Sequence, residues 1–91
     1  MIQKERESLL AWTFSVCLKD GKRSFAYTVE VSKRNALVEL VRSPRALVQE
    51  SMIFLLEHES PEAILPEFNL KEITSYFPEY ESAIKERIKH V

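Results

Sequence analysis

Glycine is almost absent: Gly21 stands alone among 91 residues, beside four prolines. So little of either argues against a linker-rich or low-complexity chain. There is one cysteine, Cys17, so no internal disulfide can form, and a reducing compartment, the cytoplasm, is the default reading. Charge of one sign is also missing. The formal net charge is −1, which gives no bulk attraction to nucleic acid or anionic lipid. The longest apolar run, Met52 to Leu56, is far too short to span a bilayer, and the charged opening "MIQKERES" lacks the apolar stretch of a signal peptide.

What is present is a globular balance, 45% hydrophobic and 30% charged, at a length suited to a single domain over residues 1–91. The stretch "LLAWTFSVCLKDGKRSFAYTVEVS" alternates in two runs about Asp20-Gly21, a two-residue hairpin signal. With those two residues as the loop, Leu18 faces Arg23, Val16 faces Phe25, Phe14 faces Tyr27, Trp12 faces Val29 and Leu10 faces Val31. Four of these five pairs are apolar on both sides, so Leu10, Trp12, Phe14, Val16, Phe25, Tyr27, Val29 and Val31 are predicted to form the core face. The opposite face carries Ala11, Thr13, Ser15, Cys17, Ser24, Ala26, Thr28 and Glu30, which are small and mostly uncharged.

Helix signals follow. Ser32 is a candidate cap for "KRNALVELVR", with an extended segment as the alternative there. Ser43-Pro44 pairs a cap with proline at the first helical position and predicts a helix to about Glu59. Its second half is apolar nearly all round. Ser60-Pro61 opens a short turn through "PEAIL", and Asn69 with Glu72 makes a capping-box-like pair. Pro78 separates a stripe of Leu70, Ile73 and Phe77 from a last helix carrying Tyr80, Ile84 and Ile88. The predicted class is α+β: an N-terminal antiparallel β-hairpin, about 10–19 and 22–31, followed by three to five helices packed on one face.

Two resemblances attach to these residues. Residues 27–59, a strand, a helix, a Ser/Pro turn and a longer helix, resemble the ribbon-helix-helix unit. The resemblance implies a strand pair made by two chains, inserted into the DNA major groove of an operator, as in a transcriptional regulator or antitoxin. The outward positions of that strand would be Ala26, Thr28 and Glu30, which lack base-reading side chains, and a carboxylate there repels phosphate. The second half of the chain is similar to a family of small bacterial proteins of unassigned activity. It shares "FLLE" (Phe54 to Glu57), "ESPEAIL" and F-x-L-x-x-I-x-x-Y-F-P-E-Y-E (Phe68, Leu70, Ile73, Tyr76 to Glu81). That similarity implies a bacterial origin and a shared fold.

Candidate chemistry is sparse. Cys17 would need a base and an electropositive setting to act as a nucleophile, and His58 and His90 are distant in sequence, so it reads as a structural thiol. His58 lies between Glu57 and Glu59, whose side chains diverge from it on a helix, and reads as a solvated helix end rather than a metal ligand. Tyr76-Phe77-Pro78-Glu79-Tyr80 reads as a corner plug, with a partner anchor as its functional alternative. No Gly-rich phosphate loop, zinc spacing or Ser-His-Asp pattern stands out, so no cofactor, metal or catalytic residue is assigned. The sequence points to a non-enzymatic interaction or structural module acting as a homodimer. The hairpin's apolar face exceeds what one short helix covers, and the expected interface residues are Thr13, Ser15, Thr28, Ile53 and Phe54.

Overall fold

Alternating side chains between Ala11 and Ser32 demand a buried and an open face, and the computed structural model, which describes residues 2–89 apart from the side chain of Lys4, supplies both. Strands β2 (Ala11–Asp20) and β3 (Arg23–Ser32) pair antiparallel. β1 (Ile2–Glu7) pairs antiparallel with β2, and the three-residue β4 (Glu67–Asn69) runs parallel to β3. The sheet order is β1-β2-β3-β4.

The hairpin turns one residue later than expected. Asp20 pairs with Arg23, so Gly21 and Lys22 form the loop. Gly21 has φ 66° and, among the described residues, no non-glycine residue has positive φ, the pattern of a type II′ turn with glycine first. A loop of Asp20-Gly21 would have forced an aspartate into the left-handed region, whereas this loop needs only glycine there. Asp20 and Arg23 also form an ion pair at 3.1 Å across the turn. The register therefore slips by two: Trp12 lies opposite Val31, Phe14 opposite Val29, Val16 opposite Tyr27 and Leu18 opposite Phe25. A slip of two preserves parity, so the bulky set stays on one side. Leu10 is the exception: it sits in the bend before β2, exposed rather than in the core.

One face of the sheet is closed by helices. Ser43 accepts a hydrogen bond from the Ala46 amide and starts α1 (Pro44–His58), which packs on β2 and β3. Residues 36–40 form a 3₁₀ turn rather than a Ser32-capped α-helix. Its cap is Asn35, whose side chain accepts from the Leu37 amide and drops Leu37 into the core. After a 3₁₀ turn at Pro61–Ala63 and β4, Asn69 caps a third one, Leu70–Glu72, by accepting from the Lys71 amide. That turn runs into α2 (Ile73–Tyr76), and α3 (Tyr80–Lys89) then crosses back against α1.

Phe14, Val16, Val29 and Val31 are buried with Leu47, Val48, Met52, Leu70 and Ile84. The apolar face of the hairpin is thus covered within the chain, by helices a reading of the hairpin alone does not supply. Phe54, expected at an interface, is only 2% exposed and belongs to this core. Its ring meets His58, Phe77 and Tyr80 at centroid distances of 4.3, 5.7 and 5.5 Å. Beneath it, Ser51 Oγ and the Tyr80 hydroxyl share a buried 2.5 Å hydrogen bond that ties α3 to α1. Arg87 adds ion pairs to Glu50 and Glu57 across the same pair of helices.

Candidate functional site

The end of α1 and the chain from 59 to 77 line a half-open cavity of about 160 Å³. α1 stops at His58, where the Glu59 amide still donates to the Leu55 carbonyl at 2.8 Å. Ser60-Pro61 then turns the chain. Two contacts fix that turn to the sheet: the Tyr27 hydroxyl donates to the Pro61 carbonyl at 2.6 Å, and Arg23 meets Glu62 at 3.3 Å. The Thr28 amide donates to the Pro66 carbonyl at 2.7 Å and guides the chain into β4. The loop thus stands off α1 instead of collapsing onto it. Leu55, Ile64, Phe68, Ile73 and Phe77 line the resulting gap. The gap is half open to solvent, and its volume is near the roughly 150 Å³ that holds a benzene-sized group, which suits one apolar side chain.

Two large apolar residues border the cavity and stay in solvent, Leu65 at 50% and Tyr76 at 66% exposure. Phe77 is held edge-on to Phe54 and 5.1 Å from the His58 ring, so its wall is braced from behind. Ala63, Glu59 and Glu72 complete the lining. A second depression of about 430 Å³ shares Phe68 and Glu72 with the first. It continues onto the uncovered face of the sheet through Glu67, Asn69, Glu30, Thr28 and Thr13. Asn69 Nδ2 donates to Glu30 Oε1 at 2.8 Å and fixes the far rim.

The expected interface residues divide. Thr13, Ser15 and Thr28 lie together on the uncovered sheet face, and Thr13 and Thr28 line the second depression. Ile53 is half-buried on α1, and Phe54 is in the core. Leu65 and Ile73 carry no site signal in the sequence, whereas Tyr76 opens the aromatic segment whose functional alternative is a partner anchor. The available signal was an aromatic-dense segment beginning at Tyr76, an exposed position directly before a helix break.

The remaining candidates sit apart. Cys17 is half-buried on the open sheet face, opposite Ala26. His58 Nδ1 is 2.9 Å from the Phe54 carbonyl and Nε2 is 3.9 Å from Glu79, while His90 lies outside the described residues. Lys33 pairs with Glu7 at 2.6 Å and sits 5.3 Å over Trp12. That contact holds the Glu7 carboxyl below its usual range. Among the described residues no group of three His, Cys, Asp or Glu is arranged to hold a metal ion, and no helix is long and apolar enough to cross a membrane. Compared with protein-family models, curated proteins and solved structures, the chain matches none.

Proposed function

We propose that this protein is a non-enzymatic interaction module of the cytoplasm that holds a segment of another polypeptide in the cavity between α1 and α2. The observation that carries the reading is an apolar cavity braced by core aromatics and flanked by two solvent-exposed apolar side chains, Leu65 and Tyr76. Exposed apolar surface beside a preformed pocket is the usual form of a partner anchor site. β3 already has β2 on one edge and β4 on the other, which favours this reading over a strand paired with a second chain on DNA.

Selection from a random peptide library on the immobilised chain tests the proposal. Enriched peptides should share an apolar anchor and lose binding to Leu65→Lys, which places a charge at the mouth. Peptides that bind this variant as well as the parent refute it.

Homodimerisation is the second reading. It rests on Leu9 and Leu10, 89% and 66% exposed at the bend between β1 and β2, and on the small-residue sheet face with Thr13, Ser15 and Thr28. Sedimentation at high micromolar concentration should then give a dimer, and a single species of 10.6 kDa removes it.

A further inference from the structure

Resting on the groove reading above, we infer that the partner segment is cationic: an apolar anchor residue with lysine or arginine within a few residues of it. Three observations converge. The two depressions adjoin at Phe68 and Glu72, which places the open sheet face beside the apolar cavity. Every charged residue lining the two depressions is a glutamate: Glu59 and Glu72 in the first depression, Glu30, Glu67 and Glu72 in the second. Acidic residues outnumber cations in this part of the chain. Between Gln49 and Ser82 the sequence holds eight glutamates and one lysine, although the whole chain is nearly neutral.

Two nearby arginines are already engaged elsewhere, and Lys71, beside Glu72, is the one lysine of the stretch. Arg23 is paired with Asp20 and Glu62, and Arg87 with Glu50 and Glu57. Glu59, Glu67 and Glu72 form no ion pair among the described residues. Like charges on one surface repel, and an incoming cation offsets that repulsion while its apolar neighbour enters the cavity. An acidic or phosphorylated segment meets the opposite sign at every charged lining position. The carboxylates set selectivity and association rate, and the cavity supplies the apolar contact.

The probe is a set of three fluorescent peptide pools. All carry a Leu, Ile or Phe anchor, flanked in one pool by Lys/Arg, in the second by Gln/Ser and in the third by Asp/Glu. Anisotropy is read with the full chain and with Glu67→Gln, Glu72→Gln and Leu65→Lys, all at exposed positions. The cationic pool should bind about tenfold more tightly than the neutral one. Each glutamine variant should weaken it about two- to fivefold, with the same trend on adding salt. Leu65→Lys should abolish binding. Equal, Leu65→Lys-sensitive binding of the neutral pool overturns the cationic partner but leaves the groove reading standing. Binding by no pool, or binding indifferent to Leu65→Lys, removes the groove and the inference together. A salt-sensitive dimer of the chain alone, dissociated by Leu65→Lys, makes the occupant a second copy and also overturns the inference.

Discussion

Removing either half of the buried Ser51–Tyr80 pair should destabilise the fold by more than its share of the loss from removing both. The two hydroxyls are 2.5 Å apart, and Ser51 and Tyr80 are buried at 0% and 1% exposure. Ser51→Ala leaves the phenol with no partner in a place closed to water, at about 1–3 kcal/mol. Tyr80→Phe leaves the Ser51 hydroxyl, which a helical serine can turn to the carbonyl one turn back, so its loss sits near the low end, about 1 kcal/mol. The double variant removes both polar groups and keeps the packing. It should fall short of the sum by about 1 kcal/mol, or about 4–8 °C in Tm for a chain of this size. A pH arm isolates the phenol. Burial pushes the Tyr80 hydroxyl up to about 12 from its ordinary 10, because the phenolate is disfavoured among Phe54 and its neighbours. A raised folded value means that the contribution is whole below pH 10 and is lost as pH climbs toward 12, by about 2–3 kcal/mol over that interval. Burial shifts Tyr27 upward as well, so Tyr80→Phe should flatten the alkaline limb without erasing it. Urea titrations followed by circular dichroism from neutral to strongly alkaline pH measure both arms. Additive single variants, or an alkaline limb unchanged in Tyr80→Phe, refute the reasoning.

Other perturbations separate core from surface. Phe54→Ala should cost about 3–5 kcal/mol in denaturant titrations, the loss of a buried aromatic, whereas Ser15→Lys on the open sheet face should stay within about 0.5 kcal/mol. Gly21→Ala places a side chain at φ 66° where nothing lies within 4 Å, so its loss is conformational, about 1–2 kcal/mol, read as a lower Tm. Ser43→Ala removes the α1 cap and should lower stability by about 0.5–2 kcal/mol by the same assay.

The elements with a strong local signal were legible in the sequence. Ser43-Pro44, Ser60-Pro61 and Asn69 each begin a turn or helix: Ser43 and Asn69 through side-chain caps made within three residues, Ser60-Pro61 through the proline at the first position alone. The sidedness of Phe14, Val16, Val29 and Val31 was legible too, since period-two alternation survives a register slip of two. The turn itself was not, because Asp-Gly and Gly-Lys loops differ only in which residue takes positive φ. β1 escaped notice because "IQKERE" puts one apolar side chain, Ile2, into the core. Backbone pairing, the Lys33–Glu7 contact and the Arg45 hydrogen bond to the Ile2 carbonyl hold it instead. β4 is three residues long, shorter than any periodicity can register, and exists through tertiary contact with β3. The groove was hidden for the same reason. Leu55, Phe68 and Tyr76 are scattered in sequence and meet only after Tyr27 and Arg23 anchor the loop at residues 61–62.

The most direct test of the groove is an amide-resolved NMR titration of the full chain with the tightest cationic peptide. The predicted result is a contiguous set of shift changes at Leu55, Ile64, Phe68, Glu72, Ile73 and Tyr76, fading across Thr28 and Thr13. Changes confined to the Leu9–Leu10 bend, to β1 or to the outer side of α3 would contradict the account.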